Sequence, residues 1–205
     1  MIEDGRRYAP AAGRNREPIL EVLRQHLPPR GLVLEVASGT GEHVTFLAEA
    51  SPPDLMFQPS DADPDCRASI VAWTAARRLA NVLPPIDLDA SAPDWPVPEA
   101  DAVLCINMIH IAPWAAAEGL VRGAARLLGG AGFLYLYGPF RRGGAHTSPG
   151  NEAFDRDLRL RNAEWGVRDL EAVSALAAGV GFEPPLVVPM PANNLSLVFR
   201  RRPPA

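Results

Sequence analysis

The chain has 205 residues and 47% hydrophobic content, enough for one globular domain with a sizeable core. A formal net charge of −4 and a pI of about 5.6 argue against a protein that coats nucleic acid or an anionic membrane. All 20 basic residues are Arg, which excludes a Schiff-base lysine and a Walker-type phosphate lysine.

Taken in chain order, residues 18–27 place Ile19, Leu20, Val22, Leu23 and Leu27 on a helical stripe that Pro28 and Pro29 stop. Residues 32–37 predict a short buried strand, 41–50 a helix and 55–60 a second strand. A helix over 65–79 is opened by Pro64, and a third strand over 82–88 is interrupted by Pro84 and Pro85. Residues 102–107 form an apolar run without alternation, as expected of a strand covered on both faces. A helix over 113–128 and a fifth strand over 132–137 follow. Then come a glycine-rich loop, a helix over 169–178, and final strands over 186–188 and 195–199. Arg200 to Ala205 read as a frayed tail. The short connections predict an α/β fold: a seven-stranded, mostly parallel sheet with helices on both faces and an antiparallel last strand. One domain over 1–205 is expected, with residues 1–30 forming an N-terminal lid and helix.

Cys66 and Cys105 form no CxxC pair and fit a reduced thiol state. No apolar run reaches the roughly 20 residues of a membrane span, and the first residues lack the apolar stretch of a secretory signal. A cytoplasmic location is therefore expected.

In such sheets ligands bind at the carboxyl ends of the strands. After the first strand comes Glu35-Val36-Ala37-Ser38-Gly39-Thr40-Gly41-Glu42-His43. Gly39 and Gly41 permit a sharp turn and a close approach of backbone to ligand, and the following helix offers free N–H groups. A dinucleotide fingerprint is incomplete, because Val44 stands at its third glycine. The spacing Glu-x-x-x-Gly-x-Gly is similar to motif I of class I S-adenosylmethionine (SAM)-dependent methyltransferases, with Ala37 where many have a first glycine. That likeness sets Glu35 opposite the SAM ammonium; a glycine turn of purely structural use is the other reading. Asp61, 26 residues after Glu35, can accept both ribose hydroxyls, a role for which the dinucleotide rule spaces its acid at about 20 residues. Asp63 is the alternative, unless it only caps the next helix. Asp89 stands where methyltransferases of this class carry an acid that meets the adenine amino group.

Longer motifs extend the likeness. They are Ala11-Ala12-Gly13-Arg14-Asn15-Arg16-Glu17-Pro18-Ile19-Leu20, the loop from Glu35 to His43, Gln58-Pro59-Ser60-Asp61 and Asn107-Met108-Ile109-His110-Ile111-Ala112-Pro113-Trp114. Leu136-Tyr137-Gly138-Pro139-Phe140, Trp165-Gly166-Val167-Arg168-Asp169 and Met190-Pro191-Ala192-Asn193-Asn194 complete the set. With these the chain resembles, over nearly its whole length, domain-of-unknown-function family 938, the family of methyltransferase-like protein 26. The resemblance implies a Rossmann-like class I methyltransferase fold and SAM as cofactor. It departs at Gly13, where a glutamate is expected.

The resemblance also places His110 beside the SAM sulfonium. An unperturbed imidazole pKa near 6.5 suits a general base; the other reading is a histidine that shapes the pocket. Tyr137 is the second catalytic candidate. Asn107 faces the cofactor ammonium or caps its own loop. Arg14 pairs with the SAM carboxylate or a substrate acid. Tyr8, Asn15, Trp114, His146 and Asn193 are the substrate-side candidates. Trp114 is alternatively core, and Asn193 alternatively supports a tight turn. Two segments are placed to close the site, residues 8–15 and 138–151.

The sequence thus predicts a SAM-dependent methyltransferase acting on an O, N or S nucleophile of a small polar or anionic molecule. Alternatives are a SAM-binding sensor or partner without transferase activity, NAD(P)-linked oxidoreduction, and methylation of protein or nucleic acid. The four His and two Cys lack metal-ligand spacing, and no G-x-S-x-G elbow occurs. No metal, nucleic-acid or membrane partner is expected, and a monomer and a homodimer are equally compatible.

Overall fold

Consecutive apolar residues mark strands whose two faces are both covered, and the computed structural model, which describes residues 4–202, has such strands at its centre. Strands β1 (Gly31–Glu35), β2 (Leu55–Pro59), β3 (Ala100–Ile106) and β4 (Leu128–Arg142) run parallel. Strand β5 (Ala145–His146) and strand β6 (Arg168–Asp169) are short additions to the far end of β4. Strand β8 (Asn194–Arg200) lies antiparallel between β4 and β7 (Leu186–Met190), so the sheet order is β2-β1-β3-β4-β8-β7.

Helices α1 (Pro10–Leu23), α2 (Glu42–Glu49) and α3 (Pro64–Arg77) cover one face; α4 (Trp114–Leu127) and α6 (Leu170–Gly179) cover the other. Neighbouring residues divide between the two cores: Val33 and Leu104 pack with Ile19, Leu47 and Ile70, while Leu34 and Val103 pack with Leu120 and Val173. Helix α5 (Pro149–Arg161) stands beyond the carboxyl end of β4.

The α/β class and the antiparallel last strand agree with the sequence. The sheet has eight strands among the described residues instead of seven. The expected strand over 82–88 is reduced to two isolated bridges, Phe57 with Val82 and Ser60 with Ile86, because the two prolines between them remove backbone donors. Helix α1 begins at Pro10 and carries Pro18 inside it, where the buried stripe of Ile19, Leu20, Val22 and Leu23 keeps it continuous. Helix α5 replaces part of the expected loop, capped by Ser148, whose hydroxyl accepts from the Asn151 N–H at 3.1 Å. The tail is ordered further than expected: β8 includes Arg200, and Arg201 bridges to Phe182. Residues 203–205 and the first three residues lie outside the described ones. No described helix is long and apolar enough to cross a membrane.

Candidate functional site

The loop after β1 is built by backbone conformations that few residues adopt. Ala37, Gly39 and Gly41 all have positive φ, of 57°, 56° and 88°. A Cβ on Gly41 would sit 2.9 Å from Ile70 Cα, so only glycine lets α2 start this close to α3. Asp61, after β2, holds the turn: its Oδ2 accepts from the Gly39 N–H at 2.8 Å and its Oδ1 from the Asp63 N–H at 2.9 Å. The Glu35 carbonyl accepts from Ser60 N–H and the Ser60 hydroxyl, which ties the ends of β1 and β2 together.

The Glu35 side chain is another matter. It is buried, and its Oε2 has no hydrogen-bond partner. Burial pushes its carboxyl up to about 8; a hydrogen bond from Ser38 works against this, and the Asp61 charge adds to it. A buried carboxylate oxygen without a donor is costly unless a cation or donor completes it.

Two cavities open at this edge of the sheet. The smaller, about 310 Å³, is lined by Ala37, Asp61, Leu88, Asp89 and Met108 among others. The larger, about 570 Å³, is lined by Arg14 and Asn15 of α1, Asn107 and His110 after β3, Tyr137 of β4, residues of α5, and Asn194. Both volumes lie in or near the range of small-molecule sites, roughly 300–1,000 Å³.

His110 is 2% exposed, and its Nδ1 is buried without a partner. Burial lowers its pKa to about 4, and the Arg168 charge adds to this, so the ring is neutral near pH 7 and a weaker proton acceptor than free imidazole. Burial raises the Tyr137 phenol, which stays protonated. Asn15 Oδ1 accepts from the His43 Nε2–H at 2.8 Å. Gly138 leaves room for the histidine, since a Cβ there would lie 2.3 Å from His110 Cε1.

Arg168 fixes this corner. Its guanidinium donates to the carbonyls of Ile109 (2.9 Å), Ala112 (2.7 Å) and Glu164 (2.8 Å) and lies over the Trp114 ring. Arg168→Ala should therefore destabilise the fold by about 1–2 kcal/mol, and Arg168→Lys should recover only part of that. Chemical unfolding curves check this; equal stability of all three proteins would contradict the clamp.

The family profile of a protein of unknown function, DUF938, matches residues 6–201. The chain belongs to this family. Solved structures of similar shape include methyltransferases. An O-methyltransferase family protein from Burkholderia thailandensis superposes with a TM-score of 0.79 at 17% identity, covering 94% of this chain and 57% of that one. Human N-acetylserotonin methyltransferase in complex with SAM gives 0.73 at 14% identity, over 92% and 52%. CalO1, a methyltransferase of calicheamicin biosynthesis in its S-adenosylhomocysteine (SAH)-bound form, gives 0.71 at 16%, over 93% and 54%. The chain thus spans little more than half the length of these proteins, and at this identity they establish its Rossmann-like fold.

In this DUF938 protein, Arg14, Asn15, Asn107, His110 and Tyr137 are brought together at the large cavity, and Ala37, Asp61 and Asp89 at the small one. Four substrate-side candidates lie elsewhere. Tyr8 is 62% exposed and packs edge-on against Trp73. Trp114 packs on the core under Arg168. His146 lies 3.5 Å from Asp155 in an outer groove. Asn193, at φ 55°, turns the backbone and leaves the lining to Asn194. Asp63 caps α3 through the Asp65 N–H at 2.9 Å. Arg141 is paired with Asp169.

Sequence reasoning missed Phe154, Leu158 and Arg161, which line the large cavity, and gave no individual role to Asn151 and Trp165, which line it too. Their spacing of three and four residues was the available signal. It also missed Glu42, a buried carboxylate that accepts from Ala9 N–H and Thr40 Oγ1 and so straps the N-terminal segment to the glycine loop.

Proposed function

We propose that this protein is a SAM-dependent methyltransferase acting on an O, N or S nucleophile of a small polar or anionic molecule. The observation that carries the reading is the partnerless, buried Glu35 oxygen at the end of β1, the atom an ammonium would satisfy. Glu35 and Asn107 would hold the amino group of SAM and Arg14 its carboxylate. The backbone of Ala37, Gly39 and Gly41 would pack on it, Asp61 would take the ribose hydroxyls, and Asp89 the adenine amino group. The two cavities on this edge, one carrying Asp61 and Asp89 and the other Arg14 and Asn107, support that division.

When bound, SAM supplies an electrophilic methyl group on a sulfonium, which becomes a neutral thioether as an acceptor lone pair takes the methyl. The protein's part is to align the acceptor and exclude water. Neutral His110 and protonated Tyr137 suit hydrogen bonding to an acceptor in the large cavity. His110→Ala should thus reduce turnover more than SAM affinity.

The low basicity of His110 favours one second reading. No Asp or Glu lines the large cavity either, so no strong proton acceptor stands in it. This would suit a SAM-binding sensor or partner without transferase activity. Calorimetry with SAM, SAH and NAD tests the shared part, and a labelled-methyl screen of metabolite extracts separates the two. Asp61→Ala should weaken SAM about tenfold. A chain that ignores SAM at millimolar concentration would sink both readings; tight binding with no labelled product would favour the sensor.

A further inference from the structure

Asn151, Phe154, Leu158 and Arg161 follow one another at intervals of three, four and three residues, so they form a single face of α5. All four line the large cavity, and Trp165 continues the wall just beyond the helix. The Phe154 ring meets His110 edge-on, 6.1 Å between centroids. The wall is held in place from behind. Buried Asp155 accepts from the Val167 N–H at 2.6 Å, and the Gly166 N–H donates to the His110 carbonyl at 2.9 Å.

The charge of the cavity has one sign. Its lining contains two arginines, Arg14 and Arg161, and no carboxylate. Arg161 is exposed, has no salt bridge among the described residues, and lies over the Trp165 ring at 5.3 Å. With Arg14 directed to the cofactor, Arg161 is the cation left for an acceptor. Phe154, 38% exposed, gives that acceptor an aromatic face.

We infer that the α5 face selects a planar aromatic carboxylate, its ring against Phe154 and Trp165 and its negative group on Arg161. This rests on the transferase reading of the same site. A guanidinium that stacks on an aromatic ring while offering a planar pair of donors suits this class better than an aliphatic acid or a neutral aromatic.

The test is calorimetric titration of salicylate, 1-hydroxy-2-naphthoate, the amides of both, and cyclohexanecarboxylate into the protein with saturating SAH. At least one aromatic acid should bind about tenfold tighter than its amide and than cyclohexanecarboxylate. Added salt should weaken the acid and spare the amide. Arg161→Gln should abolish the preference for acid over amide, and Phe154→Ala should weaken both. Equal binding of acid and amide, binding by neither, or a preference that survives Arg161→Gln would overturn the inference. The salt series reads the same charge without any substitution. SAH titrated alone separates this from the underlying reading: no SAH binding with the acid preference intact sinks the transferase, whereas SAH binding without the preference sinks only this inference.

Discussion

Gly41→Ala should lower the unfolding free energy by about 2–5 kcal/mol and abolish SAM binding. Two independent effects add at this position. The backbone holds φ at 88°, a conformation that strains any residue with a Cβ. The new methyl would also lie 2.9 Å from both Cα and Cγ1 of Ile70. Ile70 is fully buried in the core between α2 and α3, so neither its backbone nor its side chain can withdraw cheaply. Two other glycines separate the contributions. Gly39 has φ 56°, but a methyl there would meet only open space, so Gly39→Ala should show the strain alone, about 1 kcal/mol. Gly13 lies within α1 with nothing near and no unusual φ, so Gly13→Ala should stabilise by about 0.5–1 kcal/mol. Urea unfolding of the three variants checks the order. If Gly41→Ala were no worse than Gly39→Ala, the close contact with Ile70 would not be what requires glycine there.

The sheet was legible because burial on both faces writes itself as unbroken apolar runs, such as Val103 to Ile106. The glycine loop was legible because its backbone needs residue types that nothing else there explains. What stayed hidden has a physical cause in each case. Helix α5 buries only Asn151, Asp155 and Leu158, so it lacks the apolar stripe that announces a core helix. Its cavity-lining side chains Phe154 and Arg161 are exposed, each with one aromatic neighbour, His110 and Trp165, so neither adds to a buried stripe. Pro18 suggested a helix start, yet α1 runs through it, since burial of the following residues outweighs one missing backbone donor. Trp114 sits in a motif beside the site and His146 in the segment 138–151 expected to close it, but sequence adjacency does not say which way a side chain points. Trp114 turns to Arg168, and His146 to Asp155. His110 reaches the cavity, yet only its burial reveals how far its basicity falls.

Glu35→Gln should stabilise the ligand-free protein at alkaline pH while weakening SAM binding by about 30- to 100-fold. The carboxyl titrates at about 8 in the fold and near its ordinary 4.5 when unfolded. Between these values the folded state keeps a proton that the unfolded state has lost. Stability contributed by Glu35 is therefore full below pH 4.5 and falls as pH rises towards 8. The glutamine variant removes that slope, so its advantage should be near zero at pH 4 and on the order of a few kcal/mol at pH 8. Reading the difference between variant and wild type matters, because His43 and His110, both lowered to about 4 by burial, destabilise the fold on the acid side in both proteins. Binding should respond in the opposite sense. An ammonium favours the ionised carboxylate, so SAM affinity of the wild type should rise from pH 6 to 8, and binding near neutral pH should release a proton. Calorimetry in buffers of different ionisation heat measures that release. A wild-type protein that binds SAM without releasing a proton, or a glutamine variant that binds it equally well, would remove Glu35 from the cofactor's ammonium. A bound cation would complete the partnerless oxygen that costs the fold stability at high pH, and this pair of measurements asks whether SAM carries one.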